Sequence, residues 1–324
     1  LTNRFGIPVQ AREDGSLWSV QGGDGTPFVM ETVEDGLQEA VKLAGARKTV
    51  VLALGCNSMI NAKEEVDRET IELPPAQEKL LEAVYAANQR VVLVLFSNYP
   101  YAVNLAQEKL PAILWSATGA QDMGAAMAET LFGHNNPAGR LNLTWYQGDH
   151  QLPDIDDYDI IGKGRTYRYF EGDVLYPFGY GLSYTQFAYS DLSVTLQDGA
   201  MLHISLQVEN TGSAAGDEVV QIYGTAPASR VKKPLRQLLA FRRLKDVAPG
   251  ESRRVEFVVP TEEFRFYDVI SRQLMVEQGS YTIYAGPSSA QALLMAQVEL
   301  PGQQTGERCL RQRTAADLYD TYEN

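Results

Sequence analysis

The sequence has few cysteines, few histidines and no long apolar stretch. Its two cysteines, Cys56 and Cys309, are far apart and lie in neither a metal-binding nor a redox spacing, which excludes a disulfide framework. The three histidines, His134, His150 and His203, are isolated from one another, so we expect no metal site. No apolar run approaches the roughly 18–20 residues that a membrane-spanning helix requires.

Basic residues are also scarce. The chain has 28 Lys and Arg against 41 Asp and Glu, which gives a net charge of −13 with histidine neutral. Nucleic acids and anionic membranes would repel such a chain, so neither is expected as a partner. The 324 residues, 44% of them hydrophobic, are enough for two domains with their own cores.

The first half of the sequence alternates helical and strand patterns. Amphipathic helices are predicted over residues 35–46, 74–88 and 119–133, and strands over 49–55, 90–96 and 111–116. The first two strands are continuous apolar runs, a pattern typical of strands buried on both faces. Strands and helices in this order predict βαβ units and a parallel sheet, which is an α/β domain.

The second half is all-β. Short alternating segments separated by turn signals predict a two-sheet sandwich of roughly seven strands. We therefore expect four regions: a short β-rich segment over 1–35 that ends a preceding region, an α/β domain over 36–185 with a Tyr/Gly-rich junction, a β-sandwich over 186–300, and a polar tail over 301–324.

An acid-rich loop follows the first predicted strand. It contains Glu64, Glu65, Asp67 and Arg68. In open parallel sheets, function gathers beyond the carboxyl ends of strands, and a general acid needs a carboxyl group that burial or neighbouring charge keeps protonated. On the residues alone the loop is either a solvated surface segment or a catalytic one.

Several segments, taken in order, resemble the C-terminal half of a family 3 glycoside hydrolase of the β-glucosidase or β-xylosidase type. These segments are "KEEVDR", "IELPPAQEKLLEAV", "VVLVLFSNYPYAV", "ILWSATGAQDMGAAMAETLFGHNNPAGRLNLTW", "GRTYRYFEGDVLYPFGYGLSYTQF" and "VKKPLRQLLAFRRL". The resemblance covers about residues 35–300. It implies an α/β sandwich domain followed by a fibronectin type III-like domain.

The resemblance also implies a division of the catalytic groups. Family members carry the nucleophilic Asp on an N-terminal (β/α)₈ barrel, and a loop of the α/β domain donates the general acid/base, a Glu. The residues before position 36 are too few for eight βα units, so we expect the barrel on a partner chain or segment. The pair Ser190-Asp191 leads into the first sandwich strand, and we interpret it as structural.

Glu64 matches the family's general acid/base, since the pattern of a Glu, two further residues and then Asp-Arg recurs here as Glu64, Asp67 and Arg68. Many members have Gly where this chain has Glu65, so Glu65 is the second candidate. Asp67 and Arg68 either form an ion pair that fixes the loop or orient the acid.

The resemblance implies a retaining exo-β-glycosidase that needs no cofactor and acts on β-glucosides or β-xylosides, as short β-linked oligosaccharides or aryl glycosides. The alternative is a non-catalytic carbohydrate- or protein-binding scaffold that keeps the fold. An unrelated α/β hydrolase is disfavoured because no G-x-S-x-G motif is present. Tyr158 in the loop 154–161 is the candidate sugar-stacking residue, whereas the other aromatic residues of this region are expected to pack a domain junction. Neither the sugar nor the cellular compartment follows from the sequence.

Overall fold

The structure, a computed structural model, describes residues 9–11, 17–19, 33–56, 68, 70–119, 121–226 and 228–305. The chain divides into two compact units. The first consists of Leu1–Ala125, Trp145–Leu152 and Asp173–Leu175, and the second of Ala126–Thr144, Pro153–Gly172 and Tyr176–Asn324. The four regions predicted from the sequence, with boundaries after residues 35, 185 and 300, stay a prediction.

The first unit alternates strands and helices as expected. Its elements are the short strands β1 (Val9–Ala11) and β2 (Leu17–Ser19), helix α1 (Val33–Gly45), strand β3 (Val50–Gly55), helix α2 (Pro75–Ala87), strand β4 (Val91–Phe96), helix α3 (Asn104–Lys109) and strand β5 (Ala112–Ser116). Strands β1 and β2 form an antiparallel pair. Strands β3, β4 and β5 form a parallel sheet in that order, which confirms the α/β prediction.

Only the central strand of this sheet is buried on both faces. In β4, Val91, Leu93 and Leu95 are fully buried, and Val94 on the opposite face is buried as well. The prediction that β3 is buried on both faces is wrong: Leu52 and Leu54 are buried, whereas Val51 is 55% exposed. An apolar run therefore identified a strand here, but the described elements cover only one of its faces.

The helices begin and end near the expected residues. Helix α2 starts at Pro75, directly after Pro74. A proline at the first position of a helix costs nothing, because the backbone N–H that it lacks would have no partner within the helix. Helix α4 (Met123–Leu131) is closed by Gly133, which lies two residues after its last residue and has a φ of +76°; the N–H of His134 donates to the carbonyl of Glu129 at 2.8 Å. This is the Schellman cap expected of glycine after a helix. Helix α3 was not predicted, because its six residues are too few to show a period.

The second unit contains the β-rich half of the chain. Its elements after α4 are the one-turn helix α5 (Thr166–Tyr169) and the strands β6 (Phe187–Gln197), β7 (Met201–Asn210), β8 (Gly216–Thr225), β9 (Gln237–Val247), β10 (Ser252–Pro260), β11 (Phe266–Asp268), β12 (Gln273–Val276), β13 (Gly279–Gly286), β14 (Leu294–Leu300) and β15 (Gln303–Thr305). All of the described pairings between these strands are antiparallel.

Seven of these strands form the two sheets of the expected sandwich. One sheet has the order β10-β7-β6 and the other the order β14-β13-β8-β9. Their inward residues make one apolar core in which Leu202, Ile204, Val208, Ile222 and Ile283 are at most 1% exposed. The small sheet β11-β12-β15 was not predicted, and its last strand lies near the start of the segment 301–324 that was predicted to be a polar tail.

The Tyr-rich segment packs its rings within the second unit. Tyr167 stacks on Phe178 with ring centroids 4.3 Å apart, and Tyr176 stacks on Tyr180 at 5.2 Å. The hydroxyl of Tyr184 donates to the carbonyl of Thr130 at 2.8 Å. The stacked rings serve packing within this unit, and their predicted place at a domain junction stays a prediction.

The pair Ser190-Asp191 lies in the interior of β6. The register against β7 shifts between Ser190 and Ser193, and Asp191 has a φ of +55°. This is a β-bulge, which agrees with a structural role for the pair.

Candidate functional site

The carboxyl edge of the parallel sheet starts at Gly55, where a side chain is impossible. Gly55 has a φ of +133°, and a Cβ at this position would lie 1.9 Å from the carbonyl oxygen of Phe96. Only glycine allows the backbones of β3 and β4 to approach so closely. The next residue, Cys56, donates its N–H to that carbonyl at 2.8 Å, so the chain leaves the sheet in a defined direction.

Gln77 of helix α2 holds the end of β3. Its side chain is 7% exposed, its Nε2 donates to the Gly55 carbonyl at 2.7 Å, and its Oε1 accepts from the Gly55 N–H at 2.9 Å. The primary amide thus makes the same two backbone hydrogen bonds with Gly55 that a residue of a neighbouring strand would make. It ties helix and strand together beside the point where the acid-rich loop begins.

The segment after β4 is also held rigidly. Ser97 is fully buried; its N–H donates to the Ser116 carbonyl at 3.0 Å, and its Oγ accepts from the Tyr99 N–H at 3.1 Å and donates to the Tyr99 carbonyl. Asn98 accepts from the N–H of Thr118 at 2.8 Å. These bonds connect the ends of β4 and β5 and fix the position of Tyr99.

Arg68 lies against this segment. The central carbon of its guanidinium is 3.8 Å from the centre of the Tyr99 ring and 4.9 Å from that of Tyr101, and its Nη1 donates to the Pro100 carbonyl at 3.2 Å. Tyr99 and Tyr101 meet edge to face with their centroids 5.9 Å apart. Arg68 is therefore held by two aromatic faces and one carbonyl.

The residues that follow Arg68 are tied down as well. Asp149 accepts the N–H of Ile71 at 2.9 Å, and the Ile71 carbonyl accepts the N–H of Ala102 at 2.8 Å. The hydroxyl of Thr70 and the N–H of Ile71, helped by the charges of Arg68 and His150, hold the pKa of Asp149 below its ordinary value. The carboxylate is thus ionised when it anchors this strand-like stretch.

Comparison with known families accounts for most of the chain. A family model described as "Glycosyl hydrolase family 3 C-terminal domain" matches residues 6–184. The chain belongs to glycosyl hydrolase family 3. A second model, described as "Fibronectin type III-like domain", matches residues 218–289, within the β-sandwich.

Relatives of this family 3 chain carry the names of two activities. It is 39% identical over 224 residues to a xylan 1,4-beta-xylosidase of Xylanibacter ruminicola, covering 69% of this chain and 25% of that protein. It is 32% identical over 281 residues to thermostable beta-glucosidase B of Acetivibrio thermocellus, covering 82% of this chain and 37% of that protein. The chain thus spans between a quarter and a little over a third of the length of these relatives.

A solved structure shows the same fold. The beta-glucosidase of Kluyveromyces marxianus in complex with glucose superposes with a TM-score of 0.80 at 28% sequence identity, covering 86% of this chain and 35% of that one. The α/β and sandwich architecture described above is therefore that of a family 3 C-terminal region.

The structure describes some of the predicted site residues of this family 3 chain but not others. Glu64, Glu65 and Asp67 lie in the segment 57–67, outside the described residues, whereas Arg68 is described. Tyr158 lies in the second unit and is 86% exposed. In the described part of the chain, no three His, Cys, Asp or Glu residues are grouped closely enough to hold a metal ion. No helix among those residues combines the length and hydropathy of a membrane span.

Sequence reasoning missed the residues that hold the flanks of the loop. These are Gln77, Tyr99, Tyr101 and Asp149. Tyr99 and Tyr101 could have been found, because they follow the second buried strand and therefore lie at the same edge of the sheet as the loop. Asp149 is 78 residues from its partner Ile71, and no local pattern joins the two.

Proposed function

We propose that this chain is the acid/base-donating C-terminal part of a retaining exo-β-glycosidase. Its substrates are β-glucosides or β-xylosides, cleaved from the non-reducing ends of short oligosaccharides or from aryl glycosides. The nucleophilic Asp belongs to a (β/α)₈ barrel, supplied by a partner chain or by a segment outside these residues. The names of the relatives support both sugar classes.

One observation carries the proposal. The two described flanks of the acid-rich loop, Cys56 and Arg68, both lie at the carboxyl edge of the parallel sheet. In open α/β sheets this edge is where ligands bind. The loop that carries the carboxyl groups therefore starts and ends at the edge of the sheet where a substrate is expected to bind.

The mechanism assigns Glu64 two successive roles. As the carboxylic acid it gives its proton to the glycosidic oxygen while the barrel's Asp attacks the anomeric carbon, so the aglycone leaves and a glycosyl-enzyme forms. As the carboxylate it then takes a proton from water, which attacks the same carbon and releases the sugar with retained configuration. The two carboxyl groups of such a pair stand about 5–5.5 Å apart.

Neighbouring residues have supporting roles in this proposal. Glu65 is the alternative acid/base, or a negative neighbour that raises the pKa of Glu64. Asp67 and Arg68 orient the acid. The exposed ring of Tyr158 is the candidate surface for stacking on a sugar.

The test replaces each carboxyl group in the barrel-containing enzyme and varies the leaving group. Glu64→Gln and Glu64→Ala should lose activity most with alkyl glycosides or disaccharides, by about 10²–10⁴-fold. They should lose least, in the glycosylation step, with activated aryl glycosides, whose aglycone leaves without a proton. Azide should rescue Glu64→Ala, because a small anion attacks the glycosyl-enzyme without a general base.

Glu65→Gln is the matched control, since it removes the adjacent carboxyl group without removing the proposed acid. It should retain both the wild-type leaving-group dependence and nearly the wild-type pH profile. If Glu65→Gln instead shows the steep dependence and Glu64→Gln resembles the wild type, the acid is Glu65. If neither variant depends on the leaving group, the acid/base role of this loop is refuted.

A further inference from the structure

The residues that contact the Arg68 guanidinium have no role in the acid/base function proposed above. Tyr99, Pro100 and Tyr101 form a continuous stretch after β4, and each contacts the Arg68 guanidinium. Tyr101 is 1% exposed and cannot follow a moving partner. We call this stretch the Arg68 receptor.

The attraction in the receptor comes from the ring faces. Burial, together with the nearby Cys56 thiol, raises the pKa of Tyr99; burial also raises the pKa of Tyr101, with Arg68 opposing part of that rise. Both phenols are therefore neutral at any physiological pH. The guanidinium is thus bound by ring quadrupoles and by the Pro100 carbonyl, a planar arrangement that lysine does not reproduce.

The receptor belongs to a rigid part of the first unit. The turn Ser97–Tyr99 is locked by the Ser97 side chain, and Ala102 donates to Ile71, three residues beyond Arg68. Asp149 holds Ile71 from another segment. Arg68 is consequently fixed relative to the carboxyl edge of the sheet at a point four residues after Glu64 in the sequence.

We propose that Tyr99 and Tyr101 are positioning residues for the general acid/base, acting through Arg68, whose guanidinium they hold at the carboxyl edge of the sheet. The proposal rests on the acid/base function proposed above. It gives the aromatic pair a supporting role in proton transfer to the leaving group, in addition to its part in packing.

The first test uses the 324-residue chain and needs no activity. Trypsin must extract the Arg68 side chain from the receptor before it cleaves after Arg68. Tyr99→Leu, which removes the ring, should raise the cleavage rate there about fivefold, whereas Tyr99→Phe should leave the rate unchanged. Cleavage after Lys163, whose side chain is 57% exposed, is the internal reference. Equal rates at Arg68 in wild type and Tyr99→Leu would overturn the receptor.

The second test measures kcat and KM in the barrel-containing enzyme with aryl β-glycosides of graded leaving-group ability. Tyr99→Leu should lower kcat/KM about five- to tenfold for poor leaving groups and much less for 2,4-dinitrophenyl glycosides. Tyr99→Phe should restore the wild-type series. Tyr85→Leu, a change at a half-buried tyrosine of α2, is the control for a general loss of packing and should affect all substrates equally or not at all.

The outcomes separate this proposal from the one on which it rests. If Glu64→Gln shows the steep leaving-group dependence and Tyr99→Leu loses activity uniformly across the series, the positioning role is overturned and the acid/base function stands. If neither Glu64→Gln nor Glu65→Gln shows such a dependence, the acid/base function fails, and the positioning role fails with it. The trypsin result then still decides whether the receptor holds Arg68.

Discussion

Two cations in the second unit show how a side chain's immediate surroundings decide whether it stabilises the fold. Arg140 pairs with Glu218 at 3.0 Å with both side chains at most 8% exposed, and the hydroxyl of Tyr189 donates to the same carboxylate at 2.8 Å. The ammonium of Lys233 instead lies 3.2 Å from the centre of the Phe266 ring. Burial and the charge of Arg230 lower the pKa of Lys233 to about 8, against the opposing effect of Glu277.

Lys233 should make the stability of the protein depend on pH. Its folded pKa lies below its unfolded value of about 10.4, so the unfolded chain binds more protons between pH 8 and 10.4, and stability rises across that window. Lys233→Met, which keeps the apolar stem, should increase the free energy of unfolding at pH 7 and reduce that rise. Urea unfolding at pH 7 and pH 9.5 measures both effects.

The exposed Lys245 provides the control for the pH experiment. Lys245→Met removes the same charge from an exposed position and should leave the pH dependence unchanged. A Lys233→Met protein whose unfolding free energy falls at pH 7, or rises with pH as steeply as the wild type, would contradict the prediction.

The burial and fixation of the helices and strands of the first unit depend on residues that are distant in sequence. Local sequence patterns do not reveal those contacts. The apolar runs predicted β3 and β4, and the prolines predicted the start of α2. The run of β3 could not show that Val51 is exposed, since burial of a face depends on which elements cover it. The clamp between Gln77 and Gly55 likewise joins residues 22 positions apart and has no local signal.

The Gln77 clamp should contribute measurably to stability. Gln77→Leu keeps most of the buried volume but removes both hydrogen bonds to Gly55, so we expect a loss of about 1–3 kcal/mol of unfolding free energy. Urea unfolding measures the change. Glu82→Ala, at an exposed position of the same helix, should cost at most about 0.5 kcal/mol. A Gln77→Leu protein as stable as the Glu82→Ala protein would show that the clamp is dispensable.

The chain as a whole covers only part of its relatives. It spans 25% of the xylan 1,4-beta-xylosidase and 37% of beta-glucosidase B, and in this family the resemblance assigns the nucleophile to the barrel. A general acid contributes only about 10²–10⁴-fold to a rate when a nucleophile is in place. Under the proposed function, the isolated chain therefore lacks the nucleophile that hydrolysis requires.

Purified residues 1–324 should accordingly not hydrolyse 4-nitrophenyl β-glucoside or 4-nitrophenyl β-xyloside. Release of 4-nitrophenol at high protein concentration is the measurement, and the Glu64→Gln chain gives the background. Clear turnover that disappears in Glu64→Gln would mean that the nucleophile lies within this chain.

The fold class and the family of this protein could be predicted from its sequence. Alternating and continuous apolar patterns predicted the parallel α/β sheet and the seven-strand sandwich, because the 2-residue and 3.6-residue periods are local properties of the chain. Several motifs, found in the same order as in family 3, predicted that the chain belongs to that family, and the family match confirmed it. The choice of Glu64 as the acid/base stays a prediction, since it depends on motif spacing within residues outside the described part.

Only the tertiary structure decided how the described flank of the loop is held. Arg68 meets Tyr99 and Tyr101, which are more than thirty positions away, and Asp149 reaches Ile71 across 78 positions. The Arg68 contacts arise because the parallel strands β3 and β4 bring their carboxyl ends to one edge of the sheet, so that the segments that follow them become neighbours. A sequence shows which residues follow each strand, whereas the pairing of the strands determines which of those residues touch.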